Sequence, residues 1–313
     1  MTMIRTSTNN MTHEQWIEAR RSSIGGSDAS AIVGLNPYMT QYEVWASKMG
    51  LIQEKPETEA MRLGHDLEDY VAKRFEEASG KRVHRENAIL RNGHFPFAHA
   101  NIDRRIVGEK AGLECKTTSA LNLKKFANGA YPPTYYVQCQ HYMMVTGWKK
   151  WYLAVLVLGK EFLWFEIDRN EEDIAALAEA ERTFWEYVEQ KREPDADGSA
   201  SCSEILSQLY QRAEPETTAD LTLLRKYLLQ RSDAASQIAT LQETVSECDN
   251  RIKQFLGETE TGTCDGYRVT WKNGTRTGID TKKLKADRPE IYQEYIKTTT
   301  FRTFKVQEDK EET

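Results

Sequence analysis

Gly112-Leu113-Glu114-Cys115-Lys116-Thr117-Thr118 places a carboxylate and an ammonium two residues apart. In a β-strand that spacing sets Glu114 and Lys116 on one face and turns Cys115 into the other. Such a pair can hold a divalent cation together with its water. Upstream, Phe97-Ala98-His99-Ala100-Asn101-Ile102-Asp103 reads as the preceding strand of the same hairpin, so Asp103 converges on the same point. Acids and bases also pair across solvated sheet faces with no chemistry attached, and these residues alone leave both readings open.

The rest of the chain supplies context. At 313 residues and 39% hydrophobic content, it is long enough for one large domain or a smaller domain with an appendage. It contains no apolar run long enough to span a bilayer, and its first ten residues lack the apolar stretch of a secretion signal, so a cytoplasmic location without membrane association is expected. Cys115, Cys139, Cys202, Cys248 and Cys264 are scattered; they form neither a disulfide framework nor a zinc or iron–sulfur pattern and read as reduced thiols. The net charge of −6 argues against coating nucleic acid by bulk electrostatics. That average hides an asymmetry: residues 161–220 hold 17 acidic and 5 basic side chains, whereas residues 266–305 hold 10 basic and 4 acidic. The C-terminal segment can therefore face phosphates.

In chain order, residues 14–21 read as a short helix leading into Ile24-Gly25-Gly26-Ser27-Asp28, where Ser27 is the expected cap of the next helix. Glycines before a capped N-terminus suit a phosphate site and equally suit a plain turn. Thr40 and Glu43 form a capping box for a helix to Met49 with Trp45 on its buried side. Residues 58–79 form an amphipathic helix striped by Met61, Leu67, Val71 and Phe75, which Gly80 stops; Glu68 borders that stripe or lies in solvent. Residues 83–90, 95–107 and 112–118 read as three consecutive antiparallel strands.

Residues 134–146 form a helix apolar nearly all round, so Gln138 and Gln140 need partners, in the core or at a site. A strand pair, 151–158 and 161–167, and a helix over 171–191 close the first domain, and residues 193–199 are linker-like. Beyond them, apolar residues from Leu221 to Leu256 recur at threes, fours and sevens, which predicts a long helix with a coiled-coil-like seam. Arg231, Gln242 and Asp249 interrupt that seam. A hairpin turning at Asn273-Gly274, a lysine cluster at Lys282, Lys283 and Lys285, a helix over 289–296 and a strand over 301–306 follow. The seam suits an intramolecular or an intersubunit role, and the lysines a solvated face or a DNA-facing patch.

Asp103 and Glu114 are hard oxygen donors for Mg²⁺ or Mn²⁺, the Cys115 carbonyl offers a further ligand, and Lys116 adds a cation beside the attacking water. That set suits phosphodiester hydrolysis. Taken together, the Arg followed by Ile-Gly-Gly-Ser-Asp, the Leu63-Gly64-x-x-x-Glu68 helix, Asp103, the Leu113-Glu114-x-Lys116 strand with Thr117-Thr118, and Tyr135-x-x-Gln138-x-Gln140 resemble the PD-(D/E)XK nuclease superfamily. Within it, they resemble the YqaJ-type viral recombinases related to lambda exonuclease, over roughly residues 14–188. Ile102 precedes the aspartate where the superfamily often has proline.

The resemblance implies an α/β (α+β) restriction-endonuclease-like core over residues 1–200, a central mixed sheet flanked by helices, with a helical and hairpin extension over 201–313. It implies metal ligation by Glu68, Asp103, Glu114 and the Cys115 carbonyl, catalysis by Lys116 with Gln138 alongside, and a 5′-phosphate grip by Arg20, or its neighbour Arg21, with Ser27. The expected cofactor is Mg²⁺, for which Mn²⁺ can substitute, with no iron–sulfur cluster. The activity implied is 5′ to 3′ resection of duplex DNA ends by a ring-forming homo-oligomer of phage or prophage origin, in a bacterial host, partnered by a single-strand annealing protein. A structure-specific or single-strand endonuclease on the same core, or an inactive end-binding scaffold, are the rivals.

Overall fold

The computed structural model describes residues 3–52 and 56–307. The chain divides into two compact units, Met1–Gln211 and Arg212–Thr313. The first opens with β1 (Met3–Ser7), α1 (His13–Arg21), α2 (Gly26–Ile32), α3 (Gln41–Lys48) and α4 (Glu59–Ser79). Local chemistry sets several of these boundaries. Thr58 caps α4 by accepting from the Met61 N–H at 3.3 Å, and Gly80 ends it at φ +71°, a conformation glycine adopts without strain.

The three strands expected over residues 83–118 are divided differently. The first two each break in the middle, giving β2 (Val83–Arg85), β3 (Ala88–Asn92), β4 (His99–Asn101) and β5 (Arg104–Ile106) before β6 (Ala111–Thr118). β3 and β4 join β1 in one sheet, whereas β2 and β5 join the other. The cause is burial on two sides. Leu90 and Ala100 pack in the core with Met143, whereas Ile106 and Val83 pack in a second core with Val71 and Phe75 of α4. A straight meander cannot serve both cores, and Asp103 lies at the break.

A 3-10 segment (Ala120–Gly129) and α5 (Pro133–Thr146) then carry the chain to β7 (Lys150–Val157), followed by β8 (Glu161–Asp168), α6 (Glu171–Glu189) and α7 (Ala200–Leu209). The central sheet runs β2-β5-β6-β7-β8. It is mixed: β6 pairs parallel to β7 and antiparallel to β5. Leu113 faces the α4 core, while Leu153 and Val155, the register partners of Glu114 and Lys116, belong to the core shared with Met143 of α5. Residues 193–199 are tied down: Glu193 accepts from the Tyr42 hydroxyl at 2.8 Å and from Tyr210 at 2.6 Å. Cys202 and Ile205 of α7 are buried, so the first unit continues past residue 200.

The second unit holds a short 3-10 turn (Thr222–Leu224), α8 (Arg225–Leu256), β9 (Thr261–Cys264), β10 (Tyr267–Thr270), α9 (Thr281–Asp287) and α10 (Pro289–Tyr295). The long helix is present as expected. Its hairpin comes earlier in the chain than Asn273-Gly274, because β9 and β10 turn at Asp265-Gly266, with Gly266 at φ +79°. Residues 301–306 form no strand.

Candidate active site

β6 pairs with β5 only as far as Leu113, so from Glu114 onward that edge of β6 carries no strand among the described residues. Asp103 takes the vacancy: its Oδ2 accepts from the Cys115 N–H at 2.8 Å. The carbonyl of a strand residue shares an edge with its own N–H, so the Cys115 carbonyl also faces the Asp103 side. On the adjoining face, Lys116 Nζ lies 2.6 Å from Glu114 Oε1, and Gln138 of α5 donates to the same oxygen at 2.8 Å. Gln138 donates also to the Tyr142 hydroxyl at 2.8 Å. Gln140, the other glutamine of α5, is structural. It donates to the Asp168 carbonyl at 2.8 Å and accepts from the Asn170 N–H at 3.1 Å, anchoring α5 to the end of β8.

This cluster carries excess buried negative charge. Burial, then Glu114 and Glu68, push the Asp103 carboxyl well above its usual range. Burial also raises Glu114, against the pull of Lys116 and Gln138. Burial opposes the Lys116 ammonium, but Glu114 and Asp103 outweigh it and hold its pKa above the ordinary value. Its Nζ also lies 5.3 Å from the centre of the Tyr135 ring.

Glu114 Oε2, like Glu181 Oε2 elsewhere in the core, is buried without a hydrogen-bond partner among the described residues. An orphaned carboxylate oxygen beside a carboxyl strained by like charge fits a site for a hard divalent cation. Glu68, from α4, is engaged elsewhere. Arg104 pairs with it and donates to Asp69 at 2.6 Å. Among the described residues, no three His, Cys, Asp or Glu side chains are grouped so as to hold a metal. Asp103 and Glu114 would hold the ion.

The expected phosphate grip lies close by. Arg20 Nη2 donates to Ser27 Oγ at 3.4 Å, and the guanidinium stacks over Trp16 at 4.5 Å. The guanidinium of Arg21 instead lies near Gly50, so it is Arg20 that reaches Ser27. Ser27 does not cap α2: the cap is Gly25, whose N–H donates to Asp28 Oδ2 at 2.9 Å, leaving the Ser27 hydroxyl exposed. Asp28 also pairs with buried Lys48 at 2.6 Å, and Lys48 donates to the Arg20 carbonyl at 2.9 Å. Burial would raise Asp28, yet Lys48 and Arg20 hold it below its usual range. This brace under Arg20 was not legible in the sequence, since a buried pair twenty positions apart leaves no periodic trace.

A cleft of about 740 Å³ joins the two groups: Ser27, Lys116 and Gln138 line it together with Tyr38, Lys125 and Tyr135. Tyr135 belongs to the motif the sequence offered, without a role; a sequence reading missed Arg104, whose sole hint is its position next to Asp103.

A family model described as the YqaJ-like viral recombinase domain matches residues 15–149. The uncharacterized protein YqaJ of Bacillus subtilis (strain 168) is 43% identical over 307 residues, covering 95% of this chain and 95% of that protein. Among solved structures, the alkaline exonuclease LHK-Exo from Laribacter hongkongensis is 19% identical, with a TM-score of 0.49 over 57% of this chain and 93% of that one. A phage related exonuclease from Haemophilus somnus 129PT is 12% identical, with a TM-score of 0.42 over 54% of this chain and 96% of that one. With near full-length identity of this degree to its Bacillus relative, the chain belongs to the YqaJ-like viral recombinase family.

Proposed function

We propose that this protein is a divalent-metal-dependent nuclease that resects duplex DNA from 5′ ends, leaving 3′ single strands for an annealing recombinase, with Mg²⁺ as the cofactor. The observation that carries the reading is the shared cleft: Ser27, held by Arg20, opens onto the same cavity as Lys116 and Gln138. A group fit for a terminal phosphate and a group fit for hydrolysis thus meet one ligand.

In this mechanism Arg20 and Ser27 grip the 5′ phosphate and set the register of the strand. Lys116 orients the attacking water and balances charge on the pentacovalent phosphorus. Gln138 fixes Glu114 Oε1, which leaves Oε2 committed to the site. Asp103 and Glu114 would hold Mg²⁺, which would supply Lewis-acid polarisation of the phosphoryl oxygen and lower the pKa of the water. Action as a ring-forming homo-oligomer alongside an annealing partner, in the bacterial cytoplasm, completes the proposal.

The test compares linear duplexes bearing 5′-phosphate or 5′-hydroxyl ends with covalently closed circles, with and without Mg²⁺. Phosphorylated ends should be degraded faster and circles should survive. Lys116→Ala or Asp103→Ala should lower hydrolysis about 100-fold or more while end binding persists. Rapid cutting of circles would establish an endonuclease instead, and end binding by an inactive wild type a scaffold.

A further inference from the structure

α8 (Arg225–Leu256) carries its apolar residues outward: Ile238 and Leu241 are each 66% exposed and Phe255 is 93% exposed. Only Leu256 of the helix is buried, against the hairpin that follows. Solvent exposure of a whole apolar seam is unfavourable, so the seam calls for an occupant. Two charged residues on it, Arg231 and Asp249, identify which. Neither has an ion-pair partner within the chain among the described residues.

We infer that α8 pairs with α8 of a second copy as an antiparallel coiled coil centred on Thr240. In that register the seam of one helix meets the seam of the other at every layer from Leu228 to Ile252. Leu228 faces Ile252 of the second copy, Ala235 faces Val245 and Ile238 faces Gln242. Arg231 then faces Asp249 at both ends of the dimer, so the only charges on the seam neutralise each other twice. The flanking row agrees: Leu241 meets its own copy at the two-fold axis, and exposed Tyr227 meets Phe255. A parallel pair would place Arg231 against Arg231 and Asp249 against Asp249. The same two residues therefore select orientation as well as register, at some cost in stability relative to an all-apolar seam.

The full-length chain tests this by sedimentation and crosslinking. Arg231→Asp alone, or Asp249→Arg alone, should weaken self-association about tenfold or more, and the double exchange R231D/D249R should restore it. Both positions are solvent-exposed in the chain, and helical circular dichroism confirms that each variant folds. Where the first unit also self-associates, oxidative crosslinking reads the seam alone. Leu241→Cys should give a 241–241 disulfide between copies, and Ala234→Cys a 234–248 disulfide with native Cys248. Linkage of 249 to 249 in an Asp249→Cys variant would establish a parallel pair and overturn the inference. So would an unchanged association constant in both single variants, or crosslinks confined to one chain as expected if α8 docks intramolecularly.

Discussion

His99 and His141 share one buried polar run yet titrate in opposite senses. His141 has Nδ1 2.6 Å from Glu181 Oε1 and Nε2 2.8 Å from the His99 carbonyl. Both neighbours can accept, so although burial disfavours charge, Glu181 raises His141 above its ordinary value. Burial and then Lys48 push His99 well below it. A raised histidine stabilises the fold below its unfolded pKa near 6.5 and loses that contribution as pH rises through its folded value. A lowered histidine does the reverse: its neutral form is favoured, and stability falls as pH drops below about 6.5. Urea titrations of the metal-free protein should show an acid-side loss approaching about 1.4 kcal/mol per pH unit for one proton. His99→Asn should remove that slope between pH 5 and 6.5 even if it lowers stability overall. The raised carboxyls of Asp103 and Glu114 contribute to both profiles, so the difference between them isolates His99.

At the scale of elements, β6 shows why its first residue of the motif is glycine. Gly112 lies opposite Trp151 on β7, and a Cβ there would sit 2.6 Å from the indole Cε2. Trp151 is fully buried and stacks on Trp148 at 5.7 Å, so it has nowhere to retreat. Gly112→Ala should lower stability by about 1–3 kcal/mol in equilibrium unfolding followed by tryptophan fluorescence, by forcing β6 and β7 apart. The alternation that makes β6 a strand was readable, as was the Thr40 cap. The reason for Gly112 was not, because its clash partner lies on a strand reached through a helical crossover. The hairpin failed for a local reason. Asp265-Gly266 and Asn273-Gly274 are both turn signals, and neither states which flanking runs will pair.

For the whole molecule, the first unit needs α7. Cys202 and Ile205 complete the core beside α3, and Ser201 bonds to Glu43. A fragment ending at Gln211 should be soluble and cooperatively folded by circular dichroism. One ending at residue 199 should lose about 3 kcal/mol or more, since it leaves that part of the core uncovered. Equal stability of the two fragments would show that α7 is dispensable. The acidic, linker-like composition of residues 193–199 gave no sign of this, because Glu193 is held there by two tyrosine hydroxyls from distant positions.

The sequence by itself determined the long helices, strand β6, the Thr40 cap of α3, the seam of α8 and the placing of Glu114 with Lys116 on one strand face, because each depends on residues within a few positions of one another. Tertiary structure decided what those elements meet. It split two strands between two cores and so set Asp103 at a sheet break against the Cys115 N–H. It also turned Glu68 toward Arg104, laid the Asp28–Lys48 brace beneath Arg20 and opened one cleft to both Ser27 and Lys116. The physical reason is burial: which charges are stranded, and which are answered, depends on the surfaces packed over them, and spacing along the chain does not encode those surfaces.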